Sequence, residues 1–284
     1  MSIVVGLEEP NAKYVNKLSK KGKDEELAQY LSLIELNNNS LINALENYWD
    51  FNTDLTFLPL EEAEDKMRED REKYALLYVQ RVTEYDVIKQ KHPNNSNIEY
   101  RNRYEMNTIS CITIECPGEF KPVYFPSIVI SKAEAIWTVQ QLNYILTRLN
   151  AEDKISLIDI GKECHGKMLK DKKLLMCNLD LDEDLTVEKI EELYTNDFEV
   201  VDPEVIDQAL IDKDPNTVIV MVITMPGSKG DAKIHYLSST LDGEIVGYSA
   251  PGAVFRIAGV NLIQYHMNIK EKQIKNYEKI AHCK

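Results

Sequence analysis

The same ordered series of short segments occurs twice along this 284-residue chain, and that repetition restricts the fold to two copies of one unit. The first series is Tyr48-Trp49, then Leu55-Thr56-Phe57-Leu58-Pro59, an acidic stretch carrying Ala63 and Met67, and Tyr74-Ala75-Leu76-Leu77-Tyr78-Val79. The second is Tyr194, then Phe198-Glu199-Val200-Val201-Asp202-Pro203, an acidic stretch carrying Ile206 and Leu210, and Val218-Ile219-Val220-Met221-Val222-Ile223. Pro59 and Pro203 are 144 residues apart (203 − 59), and Leu76 and Val220 keep that offset. Gly118-Glu119 and Tyr124 then match Gly243-Glu244 and Tyr248. Ala135-Ile136-Trp137, Val139 and Leu142-Asn143 match Ala253-Val254-Phe255, Ile257 and Val260-Asn261 at an offset of 118 (253 − 135). The offset falls because the first copy carries an insertion at residues 83–106. Any single pair is weak, since buried strands are all rich in Val, Ile and Leu; the conserved order carries the argument.

Each copy reads as a β-α-β-α-β unit. In the first, a strand at 2–8 leads into a helical region at 11–49. There Leu27, Tyr30, Leu31, Ile34, Leu41, Ile42 and Leu45 recur at helical spacing, with a break allowed at Asn37-Asn38-Asn39. A strand at 53–58 meets Pro59, which suits a first helical turn because no partner is needed there for its missing N–H. A helix at 60–70 and a strand at 74–83 follow. This order predicts parallel strands with helical crossovers. Antiparallel strands are expected at 97–103, 108–115 and 121–125, and Ser131-Lys132-Ala133-Glu134 is a capping box for a closing helix. The second copy starts at Leu174-Leu175-Met176-Cys177, has a shorter first helix at 186–194, and closes with a helix expected over 253–281. The fold class is therefore α/β, a tandem duplication of a β-α-β-α-β unit with added antiparallel strands and a closing helix in each copy. The expected domains are 1–150 and 171–284, joined by a connector at 151–170.

Lys plus Arg number 33 against 47 Asp plus Glu, a net charge of −14, so phosphate backbones and anionic membrane surfaces are repelled. The longest apolar runs fall far short of the ~20 residues that span a bilayer, so no membrane insertion is expected. Residues 1–8 lack the basic, apolar and small-residue regions of an export signal, which points to the cytoplasm, or to export if the natural chain begins earlier. Five cysteines, at 111, 116, 164, 177 and 283, show no zinc-type spacing and read as reduced thiols. Cys111 and Cys116 are five apart on one expected strand, so they face opposite ways and are not expected to pair.

Two motifs hint at chemistry. Gly161-Lys162-Glu163-Cys164-His165-Gly166-Lys167 has the spacing of a P-loop, in which Gly161 and Gly166 would let amides wrap a phosphate and Lys167 would reach its oxygens. However, Met168 stands where a magnesium-binding Ser or Thr is needed, and too few residues follow for a crossover helix. A basic connector with turn glycines accounts for it. Asp180, Asp182, Asp184 and Glu191 occupy positions 1, 3, 5 and 12 of an EF-hand-like loop. Leu185 holds the place of the turn glycine, and Thr186 with Glu188 explains the segment as a helix start. Cys164-His165 is not a nucleophile and base, because neighbours on a strand point apart. No cofactor is assigned.

The strand at 2–8, the Tyr48-Trp49 helix end and Leu174-Leu175 followed by a Tyr-ended helix resemble uncharacterised two-copy α/β proteins of bacteria, many of them exported. The Phe198 to Glu204 step, from strand into helix, is similar to the amino-terminal domain of TolB-like envelope proteins. These resemblances imply an α/β topology and a binding role by analogy. The function expected is non-enzymatic: an interaction or assembly protein whose two copies and insertion meet a protein partner or a further copy. The alternative is a small-ligand or nucleotide-binding α/β protein, perhaps catalytic, with its site at the strand carboxyl ends.

Overall fold

In the computed structural model, which describes residues 1–52, 54–92, 95–116, 119–125, 129–151, 166–224, 233–249, 255–257, 260–262 and 268–283, two five-stranded sheets repeat one topology. In the first, β1 (Ser2–Leu7) lies parallel between β2 (Leu55–Pro59) and β3 (Tyr74–His92), and β4 (Asn95–Cys116) and β5 (Glu119–Phe125) continue antiparallel. In the second, β6 (Lys173–Cys177) lies parallel between β7 (Phe198–Val201) and β8 (Thr217–Thr224), continued by β9 (Lys233–Ser239) and β10 (Ile245–Ser249). The orders are β2-β1-β3-β4-β5 and β7-β6-β8-β9-β10. The register repeats as well: Ile3 sits between Leu55 and Ala75, and Leu174 between Phe198 and Val218, with the outer partners 20 residues apart in both units (75 − 55 and 218 − 198).

The helices are α1 (Ala12–Lys20), α2 (Asp24–Tyr48), α3 (Leu60–Glu69), α4 (Lys132–Ala151), α5 (Gly166–Asp171), α6 (Val187–Leu193), α7 (Pro203–Ile211) and α8 (Glu271–Ala281). They correct the offset by one residue. Helix α3 starts at Leu60 and α7 at Pro203, and the buried Ala63 corresponds to Ile206, so the true offset is 143 (203 − 60). A one-residue slip moves every strand side chain to the opposite face. Leu76, which packs on α3, is then equivalent to Ile219, which shares a core with Ile206 and Leu210 of α7.

That correction fixes how the units stack. In the first unit α2 lies in the central core with Ile3, Val5, Ala75 and Leu77, while α3 lies outside on Val4 and Leu76. In the second unit the first crossover helix, α6, lies outside on Leu174, Met176, Val218 and Val220, while α7 lies in the central core. Equivalent faces therefore point the same way. The layers run α3, first sheet, then α2 with α4 and α7, second sheet, then α5 with α6 and α8. The relation is head to tail, whereas a twofold axis would set like faces against each other.

Helix α4 seals the middle layer. Its Ile136, Trp137, Val139 and Leu142 are buried in a core that also holds Ile112 and Phe125 of the first sheet and Ile219, Met221 and Ile223 of the second. Trp137 Nε1 donates to Ser238 Oγ at 2.8 Å. Gln140 Nε2 donates to the carbonyls of Thr240 and Leu241, each at 3.2 Å, and Gln141 Nε2 to that of Gly243 at 2.6 Å. Truncating a buried aromatic costs about 3–5 kcal/mol. An exposed pair such as Lys23–Glu26 contributes about 0–1 kcal/mol, so packing around α4 holds the units together.

Three local expectations change. The long helical region breaks at Gly22 (φ +65°), not at the asparagines, which lie inside α2. The insertion is part of a ribbon: β3 and β4 stay paired from Leu76–Glu115 out to His92–Asn95. The second closing helix begins at Glu271, while Phe255–Ile257 and Val260–Leu262 pair as short antiparallel strands, β11 and β12. Gly259 between them disfavours a helix interior by about 1 kcal/mol relative to Ala. The register also sets Tyr248 opposite Tyr236 and Tyr124 opposite Cys111, so the two tyrosines are not equivalent. The Ser131 capping box forms as expected, with Glu134 N to Ser131 Oγ at 3.1 Å and Ser131 N to Glu134 Oε2 at 2.9 Å.

Gly243 has φ +75°, and a Cβ there would meet Gln140 Cβ at 2.6 Å and its carbonyl carbon at 2.9 Å. Gly22 shares the backbone conformation but has nothing within 4 Å. Gly243→Ala is expected to lower stability in urea denaturation by more than the roughly 1–2 kcal/mol expected of Gly22→Ala from backbone conformation alone. Equal losses would show that the α4 contact contributes nothing.

Candidate functional site

Ligands of open α/β sheets bind beyond the carboxyl ends of parallel strands, where successive crossovers leave in opposite directions. Here those places are the crevices between β1 and β3 and between β6 and β8. In the first unit a cavity of about 190 Å³ opens there, with Gly6, Leu60 and Val79 as its apolar lining and Glu8, Asn37 and Arg81 among its polar groups. Arg81 grips the Glu8 carboxylate with two nitrogens, at 2.6 and 2.9 Å, and Asn37 Nδ2 approaches it at 3.4 Å. Asn37, only 2% exposed, also accepts from Ile130 N at 3.0 Å. Asn38 holds the main chain of Glu8 from both sides, accepting from its N–H at 2.9 Å and donating to its carbonyl at 3.0 Å. Asparagine is a poor helix former that prefers local backbone partners. Inside α2 these two satisfy the end of β1 and the approach to α4.

The second crevice is built differently. After β6 a 3₁₀ turn at Asn178–Asp180 brings the half-buried Asp180 towards Lys233 and Tyr277. Burial raises the Asp180 carboxyl to about 6, against a smaller lowering by Lys233. Tyr277, fully buried, meets His235 Nδ1 at 2.5 Å, and burial, with Asp180 second, pushes its phenol well above the ordinary range. The loop is clamped to the start of α8, with Ile269 N donating to the Asp180 carbonyl at 2.8 Å and Asp182 N to that of Ile269 at 3.0 Å. A carboxyl held against its solvation marks a functional candidate.

The residues singled out by motif are not gathered. Asp182 pairs with Lys270 at 2.9 Å, Asp184 and Glu191 are exposed, and Asp180 is half-buried. Among the described residues no group of three or more His, Cys, Asp or Glu is placed to hold a metal ion. Gly161, with Cys164-His165, lies outside the described residues. Gly166 opens α5, a helix of 6 residues, and a Cβ on it would meet the Ala281 and Ile280 carbonyls at 2.6 and 2.7 Å. Its smallness thus lets α5 approach the end of α8, and Lys167 beside it is exposed. Cys111, Cys116 and Cys177 are free thiols, whereas Cys283 is disulfide-bonded, contrary to the reading of all five as reduced.

An open groove of about 800 Å³ lies at the other end of the second sheet, beside Lys173, Asp214 and Thr217. Its Lys173–Glu199 pair is exposed on both sides (39% and 53%), and the amino ends of strands are not where such sheets hold ligands. No protein-family model matches the chain, and comparisons with curated proteins and with solved structures return no match.

The Asp180 shift predicts a pH dependence. Its folded pKa exceeds the ordinary 3.8, so the neutral form stabilises the fold below that pH and the benefit is lost as pH rises through about 6. Asp180→Asn, which cannot ionise, is expected to be more stable than the parent by about 1–3 kcal/mol at pH 7.5 and indistinguishable near pH 4. Thermal denaturation at the two pH values checks this; a variant less stable at pH 7.5 would mean the carboxylate is held by favourable contacts instead.

Proposed function

We propose that the protein is a non-enzymatic interaction module whose β3–β4 ribbon engages a protein partner. One observation carries this reading. β1 pairs with β3 only as far as Tyr78, and β5 pairs with β4 only from Ser110 onward, so among the described residues the ribbon between continues with no third strand. Residues 83–92 alone extend about 33 Å at about 3.3 Å per residue. Two-stranded ribbons are marginal by themselves, and their unpaired edges are templates for an added strand. A net charge of −14 favours a protein partner over nucleic acid. Among the described residues no helix is long and apolar enough to cross a membrane. The Cys283 disulfide favours export, because such bonds persist in oxidising compartments.

A second reading, a small-ligand protein, rests on the cavity between β1 and β3.

The ribbon can be removed without disturbing its base. Thr83 and Thr108 are cross-strand partners, so joining them through Asn-Gly closes a tight hairpin. The shortened chain is expected to keep the parent's melting temperature and to lose the partner captured by the full chain. If it still captures every such partner, the ribbon's role is abandoned.

A further inference from the structure

The pocket between β1 and β3 carries one charge of each sign in contact, and this limits what it can hold. Arg81 uses two of its five N–H donors on Glu8, and Asn37 uses one of its two amide N–H groups there. Donors remain on the guanidinium and the amide, and acceptor capacity remains on the carboxylate. Both charged side chains are about two-thirds or more buried (32% and 26% exposed), where like-charge contacts are costly. A simple anion drawn to Arg81 would sit against Glu8, and a simple cation drawn to Glu8 would sit against Arg81. A molecule bearing both signs on adjoining atoms meets neither penalty.

We infer that this pocket is a binding site for a small zwitterion of the α-amino acid class, with its carboxylate on Arg81, its ammonium on Glu8 and a short apolar side chain on Gly6, Leu60 and Val79. This deepens the second reading above and rests on it. The size agrees: about 190 Å³ corresponds to about six water molecules at about 30 Å³ each, room for a single residue. The position agrees too, because the crevice is a topological switch point. Helix α2 lies on one face of the sheet and α3 on the other, which leaves the carboxyl end of β1 open beside β3.

Three probes separate the possibilities by calorimetry on the full chain: L-valine, isovalerate, which lacks the ammonium, and isobutylamine, which lacks the carboxylate. Valine is expected to bind saturably and at least tenfold more tightly than either analogue. Glu8→Gln and Arg81→Gln should each weaken valine at least tenfold, and methyl resonances of Val79 and Leu60 should shift in the unaltered protein, which covers the case of a variant that folds poorly. Isovalerate or isobutylamine binding as well as valine, with the same methyl shifts, would overturn the ligand class and leave the site standing. No shift at Val79 or Leu60 with any of the three would overturn the site itself, and with it the second reading.

Discussion

Helix α4 has to satisfy two sheets at once, and the rest of the architecture follows from that demand. Its apolar side covers Ile112 and Phe125 of its own unit and reaches the core formed by Ile219, Met221 and Ile223 of the next. The amides of Gln140 and Gln141 close on the turn between β9 and β10, which only a glycine at 243 can bring so near. Buried amides are costly unless paired, so these contacts specify one arrangement of the units more than they strengthen it. The central core therefore belongs to neither copy alone.

The duplication was legible because strand order and segment order survive divergence that erases individual residues. What the residues could not settle was parity. Pro59 and Pro203 follow similar strand segments, yet Pro59 closes β2 while Pro203 opens α7. Strands buried on both faces are apolar throughout, so Ala75 to Val79 carries no alternation from which to tell one face from the other. The helix spacing of Ala63 and Met67 against Ile206 and Leu210 already held the offset of 143, and that was the usable signal. The apolar segment after Ala253 misled for the related reason that a short apolar run reads equally as buried helix or strand.

The crevice sites were less legible, since their members meet from far apart in the chain. Glu8 and Arg81 are 73 positions apart, and His235 and Tyr277 are 42 apart. No local pattern announces such pairs, which is why motif spacing found Gly166 and the Asp180 loop instead. One signal was present and misassigned. Three consecutive asparagines in an otherwise apolar helical pattern read as a break, but inside a continuous helix they can stay only if their side chains have partners. Asn37 and Asn38 have them, at Ile130, Glu8 and the main chain around the crevice. Asp180 follows the same logic with the opposite outcome: its spacing suits one oxygen ligand of several, whereas among the described residues no group of three or more such ligands is gathered.

Stacking in one direction leaves two unlike ends, and such a stack could in principle grow without limit. The outer helices argue against it. Glu61, Glu62, Asp65 and Glu69 are exposed on α3, and Lys272, Lys275 and Lys279 are exposed on α8, so both outer layers present charge where the middle layer presents Trp137 and Leu142. Polar outer faces are what terminal repeats of stacked proteins use to stop growth. The open backbone lies elsewhere, along the ribbon beyond Tyr78 and Ser110, whose two strands have only each other as sheet neighbours among the described residues. In the proposed reading, a stack closed with charge beside a long ribbon left unpaired separates holding the fold together from meeting a partner. That separation is the physical basis for placing the interaction on β3 and β4, and for reading the crevice between β1 and β3 as a separate site.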